Sequence, residues 1–261
     1  MAGPVIMKMS DEIAILTLYR PESYNALNLE MAGALAGNLV KLSADDSVRG
    51  VVITGEGRAF CSGGDIKWMQ EYPGTKSAAL HELAGCYHKA IVEIRRMAKP
   101  VIAAVNGVAA GAGFSLVLAC DFRVMARSAI LKQAYSSSGL SIDGGGSFIL
   151  PRLVGMARAM EILAFDKPIN SEQALAWGLT TKAVEDGKSL DEALGMAHGL
   201  AKTSVNSFGW SKELLTNSFD TSFETHLERE RTGITSCAAH RDGREGIKAF
   251  LEKRKPVFWA G

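Results

Sequence analysis

The order of apolar and polar residues predicts buried strands early in the chain. Two β-rich runs, 5–9 and 13–19, flank the turn-forming residues 10–12 and predict a hairpin. The β-branched and apolar residues of 50–55 lie between two glycines, and those of 101–105 lie between Pro100 and Asn106-Gly107, as is typical of strands that are covered on both faces. We therefore expect these runs to contribute strands to a buried sheet.

Apolar residues that recur every three or four positions predict helices between these strands. One helix begins near Asn28, and a second covers 77–96. A glycine-rich run then leads into a short apolar helix, 114–119, which is followed by strands at 122–125 and 130–133. Such alternation of strands and helices indicates an α/β fold.

The pattern changes after about residue 188, where it becomes helical throughout. The segments 189–192 and 221–224 have the residue order of capping boxes, which predicts that a helix begins at each of them. We therefore divide the chain into a core, 1–195, and a helical C-terminal region, 196–261.

Composition removes some classes of function. The 261 residues include 29 Lys and Arg against 28 Asp and Glu, so no strong field attracts nucleic acid or an acidic membrane surface. The four cysteines show no C-x-x-C spacing, which favours a reducing compartment. The N-terminus lacks the pattern of a signal peptide, and no segment approaches about 18 uninterrupted apolar residues. We expect a cytoplasmic protein that binds neither nucleic acid nor membrane.

Two glycine-rich loops, 58–66 and 106–113, share one design: each follows a buried strand and leads into a helix. Glycine lets the backbone approach a ligand closely, and a helix N-terminus presents amides that favour negative charge. Together the loops could direct two N–H groups at one carbonyl oxygen and stabilise the charge that develops on it during a reaction.

Asp143 is the acid best placed to make or break bonds beside such a carbonyl. It lies between an apolar run and three consecutive glycines, in the sequence SGLSIDGGGSF. Apolar neighbours would raise the pKa of the carboxyl group and make it a better base. The alternative is structural: Asp143 caps the helix that begins near Ser147 or stabilises a turn.

Several runs carry a resemblance over nearly the whole chain. AFCSGGDIKWM, KPVIAAVNGVAAGAGFSLVLACD, SIDGGGSFILPRLVGMARAMEILAF, AWGLTTKAV and DGREGIKAFLEKRKPVF resemble the crotonase (enoyl-CoA hydratase/isomerase) superfamily. The resemblance implies a spiral core of ββα units that binds acyl-CoA and a helical C-terminal region that forms trimers, which often pair into hexamers. It also implies that coenzyme A is part of the substrate and that no separate cofactor is needed. The five histidines show no metal-ligand spacing, so we predict no metal site.

The resemblance assigns roles to individual residues. The backbone N–H groups of Gly64 and Ala112 would form the oxyanion hole, although the family usually has glycine where Ala112 stands. Asp65 is expected to cap the helix at 66–69 and support the loop near the adenine of CoA, and Tyr135 either donates a hydrogen bond or fills space. The residues expected to contact the substrate are Ser62, Gly63, Asp65, Ile66, Trp68, Gly111, Ser115, Tyr135 and, at a CoA phosphate, Lys253.

The acids decide which reaction the resemblance favours. Members that hydrate enoyl-CoA carry two glutamates, and this chain has Ser115 and Tyr135 at those positions. Asp143 instead occupies the place where the isomerase branch carries an acid. We therefore predict an isomerase that shifts a double bond from 3-enoyl-CoA to 2-enoyl-CoA, or a related ring or epoxide isomerisation, with Asp143 carrying the proton.

Three alternatives stay open. Asp143 could act as a nucleophile, as in 4-chlorobenzoyl-CoA dehalogenase, although no histidine occupies the matching position near Val92, and His88 is expected to face solvent or pack at the edge of a charged helix. A hydratase-like acyl-CoA enzyme is a second alternative. A CoA-binding protein that has lost catalysis is the third, and tight CoA binding without turnover would identify it.

Overall fold

The computed structural model describes residues 3–258. Within that range no helix combines the length and the apolar character that a bilayer crossing requires. Ten strands are present there: β1 Val5–Ser10, β2 Ile13–Leu18, β3 Gly50–Gly55, β4 Ala59–Cys61, β5 Val101–Val105, β6 Val108–Ala110, β7 Phe122–Ala126, β8 Ile130–Lys132, β9 Ile169–Asn170 and β10 Lys182–Val184. Ten α-helices accompany them: α1 Leu29–Ala44, α2 Ile66–Glu71, α3 Lys76–Arg96, α4 Ala112–Ala119, α5 Gly146–Phe165, α6 Ser171–Ala176, α7 Ser189–Ala201, α8 Val205–Asn217, α9 Phe223–Ala239 and α10 Arg241–Leu251.

The strands form two sheets that the chain visits in turn. The six-stranded sheet has the order β1-β2-β3-β5-β7-β10, and the four-stranded sheet has the order β4-β6-β8-β9. The pairs β3–β4, β5–β6 and β7–β8 each place their first strand in the larger sheet and their second in the smaller one, and a helix follows each pair. This repeat confirms the predicted α/β fold of ββα units.

Burial explains why the central strands are apolar throughout. Every residue of β3 and β5 is buried, because helices cover the larger sheet on both faces. On one face α1, α3 and α4 pack in the main core. On the other, α7 places Ala193, Ala197 and Ala201 against a second apolar cluster. The small alanine side chains let this helix approach the sheet closely.

Several helix starts differ by one or two residues from the sequence prediction. Both capping boxes are wrong by one residue: α7 follows Lys188, which closes a turn on Glu185, so Ser189 is already helical, and α9 is capped by Ser222. The short helix α4 begins at Ala112, two residues before the expected start. The expected division at 195/196 falls inside α7, which packs on the sheet, and the division itself stays a prediction.

Candidate active site

Both glycine-rich loops line one cavity of about 190 Å³. One wall is α3, whose residues at helical spacing present apolar side chains to the cavity, and another comes from the segment before α5. The lining residues are Leu27, Ser62, Gly63, Gly64, Ile66, Met69, Leu80, Leu83, Ala84, Tyr87, Gly111, Ala112, Ala134, Tyr135, Ser138, Leu140 and Asp143. The fold therefore brings most of the residues expected at the substrate to one place.

The amides of Gly64 and Ala112 both have geometric reasons to be available to a ligand. Leu27 donates to the carbonyl of Gly63 at 2.7 Å and accepts from the amide of Asp65 at 2.8 Å, so the intervening amide of Gly64 is directed to the other side of the chain. Ala112 is the first residue of α4, where an amide has no acceptor within the helix. Two donors of this kind suit a carbonyl oxygen that gains negative charge.

The backbone around Asp143 is fixed by the cavity wall. Ser115 Oγ donates to the Asp143 carbonyl oxygen at 2.6 Å, and the Tyr135 hydroxyl lies 3.2 Å from Ser115 Oγ. Gly144 has φ +62°, and a Cβ there would lie 2.5 Å from Cε1 of Tyr87. Glycine is therefore required beside Asp143, both for the backbone conformation and for the close approach of α3.

The carboxylate of Asp143 does not cap α5, whose N-cap residue is Gly145. Its Oδ1 instead lies 2.7 Å from Nε2 of His88, on α3. The two side chains are 39% and 49% exposed, respectively. The structural alternative of a helix cap is therefore wrong, and the carboxylate is paired at the edge of the cavity.

His88 is the residue that sequence reasoning missed. The sequence shows no histidine near Val92, the position that matches the histidine of the dehalogenase, but the structure places His88, about one helical turn earlier, in contact with Asp143. That argument against a nucleophilic Asp143 therefore no longer holds. A signal was present: His88 directly follows Tyr87, which lines the cavity.

Burial keeps the neighbouring hydroxyl and thiol groups neutral. It raises the pKa of the Tyr135 and Tyr87 hydroxyls above their ordinary values, so both remain hydrogen-bond donors at neutral pH. The Tyr87 hydroxyl donates to the carbonyl oxygen of Ala112 at 2.7 Å. Burial also raises the pKa of the Cys61 thiol to about 12, which makes that thiol a poor nucleophile.

Asp65 has a structural role that matches its expected position. Its Oδ1 accepts from the amide of Trp68 at 3.1 Å and caps α2, and its Oδ2 lies 2.8 Å from the Arg20 guanidinium. Burial opposes ionisation of the group, but the Trp68 amide and Arg20 together hold the pKa of Asp65 below its ordinary value. The loop that carries Gly64 is thereby anchored.

Four residues expected at the substrate lie outside the cavity lining: Asp65 and Ser115, whose contacts are given above, and Trp68 and Lys253. Trp68 packs against the main core and against Tyr72, with ring centroids 5.5 Å apart. Lys253 is exposed just beyond α10, and its proposed contact with a CoA phosphate stays a prediction.

Other clusters lie away from the cavity. Asp11, Glu12 and His198 bring potential metal-ligand atoms within 4.8 Å of one another at the β1–β2 turn. Both ring nitrogens of His198 already face protein groups, Ser10 Oγ at 3.3 Å and Glu12 Oε1 at 3.5 Å. Two larger clefts, of about 570 and 550 Å³, lie between α3, α5 and α8.

Comparisons with known proteins match this chain to one family over nearly its full length. The family model described as enoyl-CoA hydratase/isomerase matches residues 8–260. The chain is 36% identical over 255 residues to 1,2-epoxyphenylacetyl-CoA isomerase of Escherichia coli strain K12, and 32% identical over 255 residues to crotonyl-CoA hydratase of Syntrophomonas wolfei; each match covers 97% of both proteins. A solved enoyl-CoA hydratase from Polaromonas sp. JS666 superposes with a TM-score of 0.91 at 39% identity, covering 97% of this chain and 98% of that one.

Proposed function

This chain belongs to the enoyl-CoA hydratase/isomerase family, and on that basis we propose that it moves a double bond within an acyl-CoA thioester. The observation that carries the proposal is the position of Asp143 in the wall of the cavity that also presents Gly64 and Ala112. Ser115 and Tyr135 stand where hydration would need carboxylates, and neither side chain can act as a carboxylate base at neutral pH.

The proposed reaction needs one base and two backbone donors. The amides of Gly64 and Ala112 bind the thioester oxygen while the Asp143 carboxylate removes a proton from the α carbon. The C–H electron pair moves toward the carbonyl, and the resulting dienolate oxygen is stabilised by the two amides. Asp143, now a carboxylic acid, returns the proton to the γ carbon, and the double bond comes to lie next to the carbonyl.

Isomerisation of an epoxide is the second function that an observation favours. The relative from Escherichia coli is named 1,2-epoxyphenylacetyl-CoA isomerase and is 36% identical over 97% of each chain. The apolar wall that α3 contributes, with Leu80, Leu83 and Ala84, would suit an aromatic or alicyclic acyl group. The thioester would bind to the same two amides in either reaction.

Purified protein offered three substrates tests the proposal. We expect 3-enoyl-CoA to give conjugated 2-enoyl-CoA, followed by its ultraviolet absorbance. Turnover of 1,2-epoxyphenylacetyl-CoA without 3-enoyl-CoA turnover would favour the second function. Hydration of 2-enoyl-CoA as the main activity would contradict both. Binding of CoA esters with no turnover of any of the three would favour the non-catalytic alternative.

We also infer that the chain assembles as a homotrimer or a dimer of trimers. Large apolar side chains on and beside the C-terminal helices are 70% to 83% exposed in the single chain: Leu215, Phe219, Phe223, Ile234 and Phe250. Such exposure is typical of a surface that another subunit covers. Light scattering after size exclusion should give the mass of three or six chains, and a monomer would contradict the inference.

A further inference from the structure

The contact between His88 and Asp143 lies where two cavities adjoin. Asp143 and Tyr87 line the proposed acyl cavity. Ile91, which lies one turn beyond on α3, and Gly145, which lies two residues beyond Asp143, line the neighbouring cleft of about 570 Å³. The pair therefore lies close to residues that line each of the two cavities.

The two oxygens of the Asp143 carboxylate have different surroundings. Oδ1 lies 2.7 Å from Nε2 of His88, whereas Oδ2 has no hydrogen-bond partner among residues 3–258. A carboxylate held at one oxygen keeps the other free to receive a proton from carbon. Because the His88 side chain is 49% exposed, its second ring nitrogen can reach water while an acyl group covers Asp143 on the cavity side.

We propose that His88 is a positioning residue that holds Oδ1 of Asp143 and exchanges with solvent the proton that Asp143 takes from the substrate. The inference rests on the proposed function, because it requires Asp143 to remove that proton. It adds a second fate for the proton, which either returns to carbon or leaves through His88.

The relay conserves atoms and charge. In the resting pair the imidazole carries its proton on Nε2 and donates it to the Asp143 carboxylate at Oδ1. Once Asp143 is a carboxylic acid, proton exchange between the exposed ring and water gives the tautomer with its proton on Nδ1, and the acid, turned so that its O–H faces Nε2, passes its proton to the free electron pair of that nitrogen. The imidazolium then releases the Nδ1 proton to water, which restores the resting tautomer. The reverse steps return a solvent proton to Asp143. No oxidant, reductant or metal takes part. The two tautomers of neutral imidazole supply the donor that holds the carboxylate and the acceptor that receives the proton of the acid.

Deuterium exchange separates this role from a structural one. In D₂O the wild type should exchange the α protons of butyryl-CoA, which forms an enolate but has no double bond to move. We expect His88→Gln to lower the ratio of this exchange rate to the 3-enoyl-CoA isomerisation rate by about tenfold or more. Glutamine can still donate a hydrogen bond to Oδ1 but cannot relay a proton. A role limited to orientation would lower both rates together and leave the ratio unchanged, which would overturn the relay.

His81 provides the matched control, because it is an exposed histidine on the same helix outside the cavity lining. His81→Gln should leave the ratio at the wild-type value, and Asp143→Asn should abolish exchange. A wild type that isomerises but does not exchange would overturn the relay and leave the proposed function intact.

Exchange without isomerisation would separate the proposed function from the relay. If the wild type exchanges but does not isomerise, the proposed function is wrong, and imidazole added to His88→Ala decides the relay. Exchange restored by imidazole would support it, and exchange that stays low would overturn it.

Discussion

Asp121 and Asp143 each lie 2.7 Å from a basic side chain on a different helix, Lys212 for Asp121 and His88 for Asp143. Asp121 and Lys212 are 8% and 4% exposed, whereas both members of the other pair are more than a third exposed. Asp121 also accepts from the amide of Val101 at 2.9 Å. Equal distances therefore accompany different roles. The Asp121 carboxylate is bound by other groups of the protein, whereas the Asp143 carboxylate keeps one oxygen without a hydrogen bond beside a cavity.

In the interior pair, Asp121 and Lys212, burial changes the pKa values more than the attraction between the two charges does. It raises the pKa of Asp121 and lowers the pKa of Lys212, against the mutual attraction that would move both values in the opposite directions. Lys212 also donates to the carbonyl oxygen of Ile94 at 2.7 Å. The pair thus connects α8 to the end of α3 and the start of β5, and its role is structural.

Ala112→Pro tests the cavity side of this comparison and should have the largest effect. Proline is well accepted at the first position of a helix but carries no N–H, so it removes one proposed donor and keeps α4. We expect kcat for isomerisation to fall about 10²–10³-fold, with the free energy of unfolding kept within about 1 kcal/mol. Steady-state kinetics and thermal unfolding measure the two quantities.

Ala112→Gly is its matched control, since it restores the residue that the family usually has and retains the N–H. This variant should turn over at a rate close to that of the wild type. Equal kcat values for the proline and glycine variants would show that the Ala112 amide is no donor in the reaction.

Asp121→Asn tests the interior side. It leaves the buried Lys212 ammonium without its charge partner, so the free energy of unfolding should fall by about 3–5 kcal/mol while turnover per folded molecule is kept. Chemical denaturation measures the first quantity and active-site-normalised kinetics the second. Adding Lys212→Met should recover much of the loss, and an unchanged unfolding free energy in Asp121→Asn would contradict the structural role.

Ser115→Ala should have a smaller effect, and it should lower both stability and turnover. It removes the 2.6 Å hydrogen bond to the Asp143 carbonyl oxygen and should lower the unfolding free energy by about 1 kcal/mol. It should also lower kcat by about fivefold or more, because the base is less well positioned. Ser136→Ala removes a bond of equal length, to the carbonyl oxygen of Leu163, and should reduce stability without the loss in kcat. Equal kcat values in the two variants would contradict the positioning role of Ser115.

The smallest effect concerns the ion pair that Glu245 on α10 forms with Arg254, just beyond the end of that helix. Two hydrogen bonds from Arg254 lower the pKa of Glu245 from 4.5 to about 2, and Glu245 also accepts from the amide of Val257. A depressed carboxyl pKa gives a contribution that is present above the ordinary value and is lost as the pH falls through the lowered value. The protection of the Val257 amide against hydrogen exchange, corrected for the intrinsic exchange rate at each pH, should therefore fall toward pH 2 more than that of buried strands. Protection that stays constant over this range would contradict the contact.

The sequence predicts the long elements well because each carries its own pattern. The glycine-bounded runs became β3 and β5, and α3 begins within one residue of its expected start. The sequence predicts loops where the three-residue strands β4 and β6 lie, because so short a segment shows no period of apolar residues. Their pairing comes from the second sheet, which only the folded chain assembles.

The residues of the site likewise fall into those that the sequence can identify and one that it cannot. Gly64, Ala112 and Asp143 could be singled out because each belongs to a glycine-rich run, and the structure places all three at one cavity. His88 has no such mark. Its contact with Asp143 joins residues 55 positions apart, and it depends on how α3 packs beside the loop that precedes α5.

Isomerisation of 3-enoyl-CoA by Asp143→Asn, measured per folded molecule beside the wild type, tests whether this carboxylate carries the proton. Asparagine keeps the size of the side chain but cannot accept the proton, so the rate should fall by about 10²–10⁴-fold, while CoA-ester binding and the free energy of unfolding are retained. A variant that folds, binds and isomerises as fast as the wild type would show that the proton moves through another group.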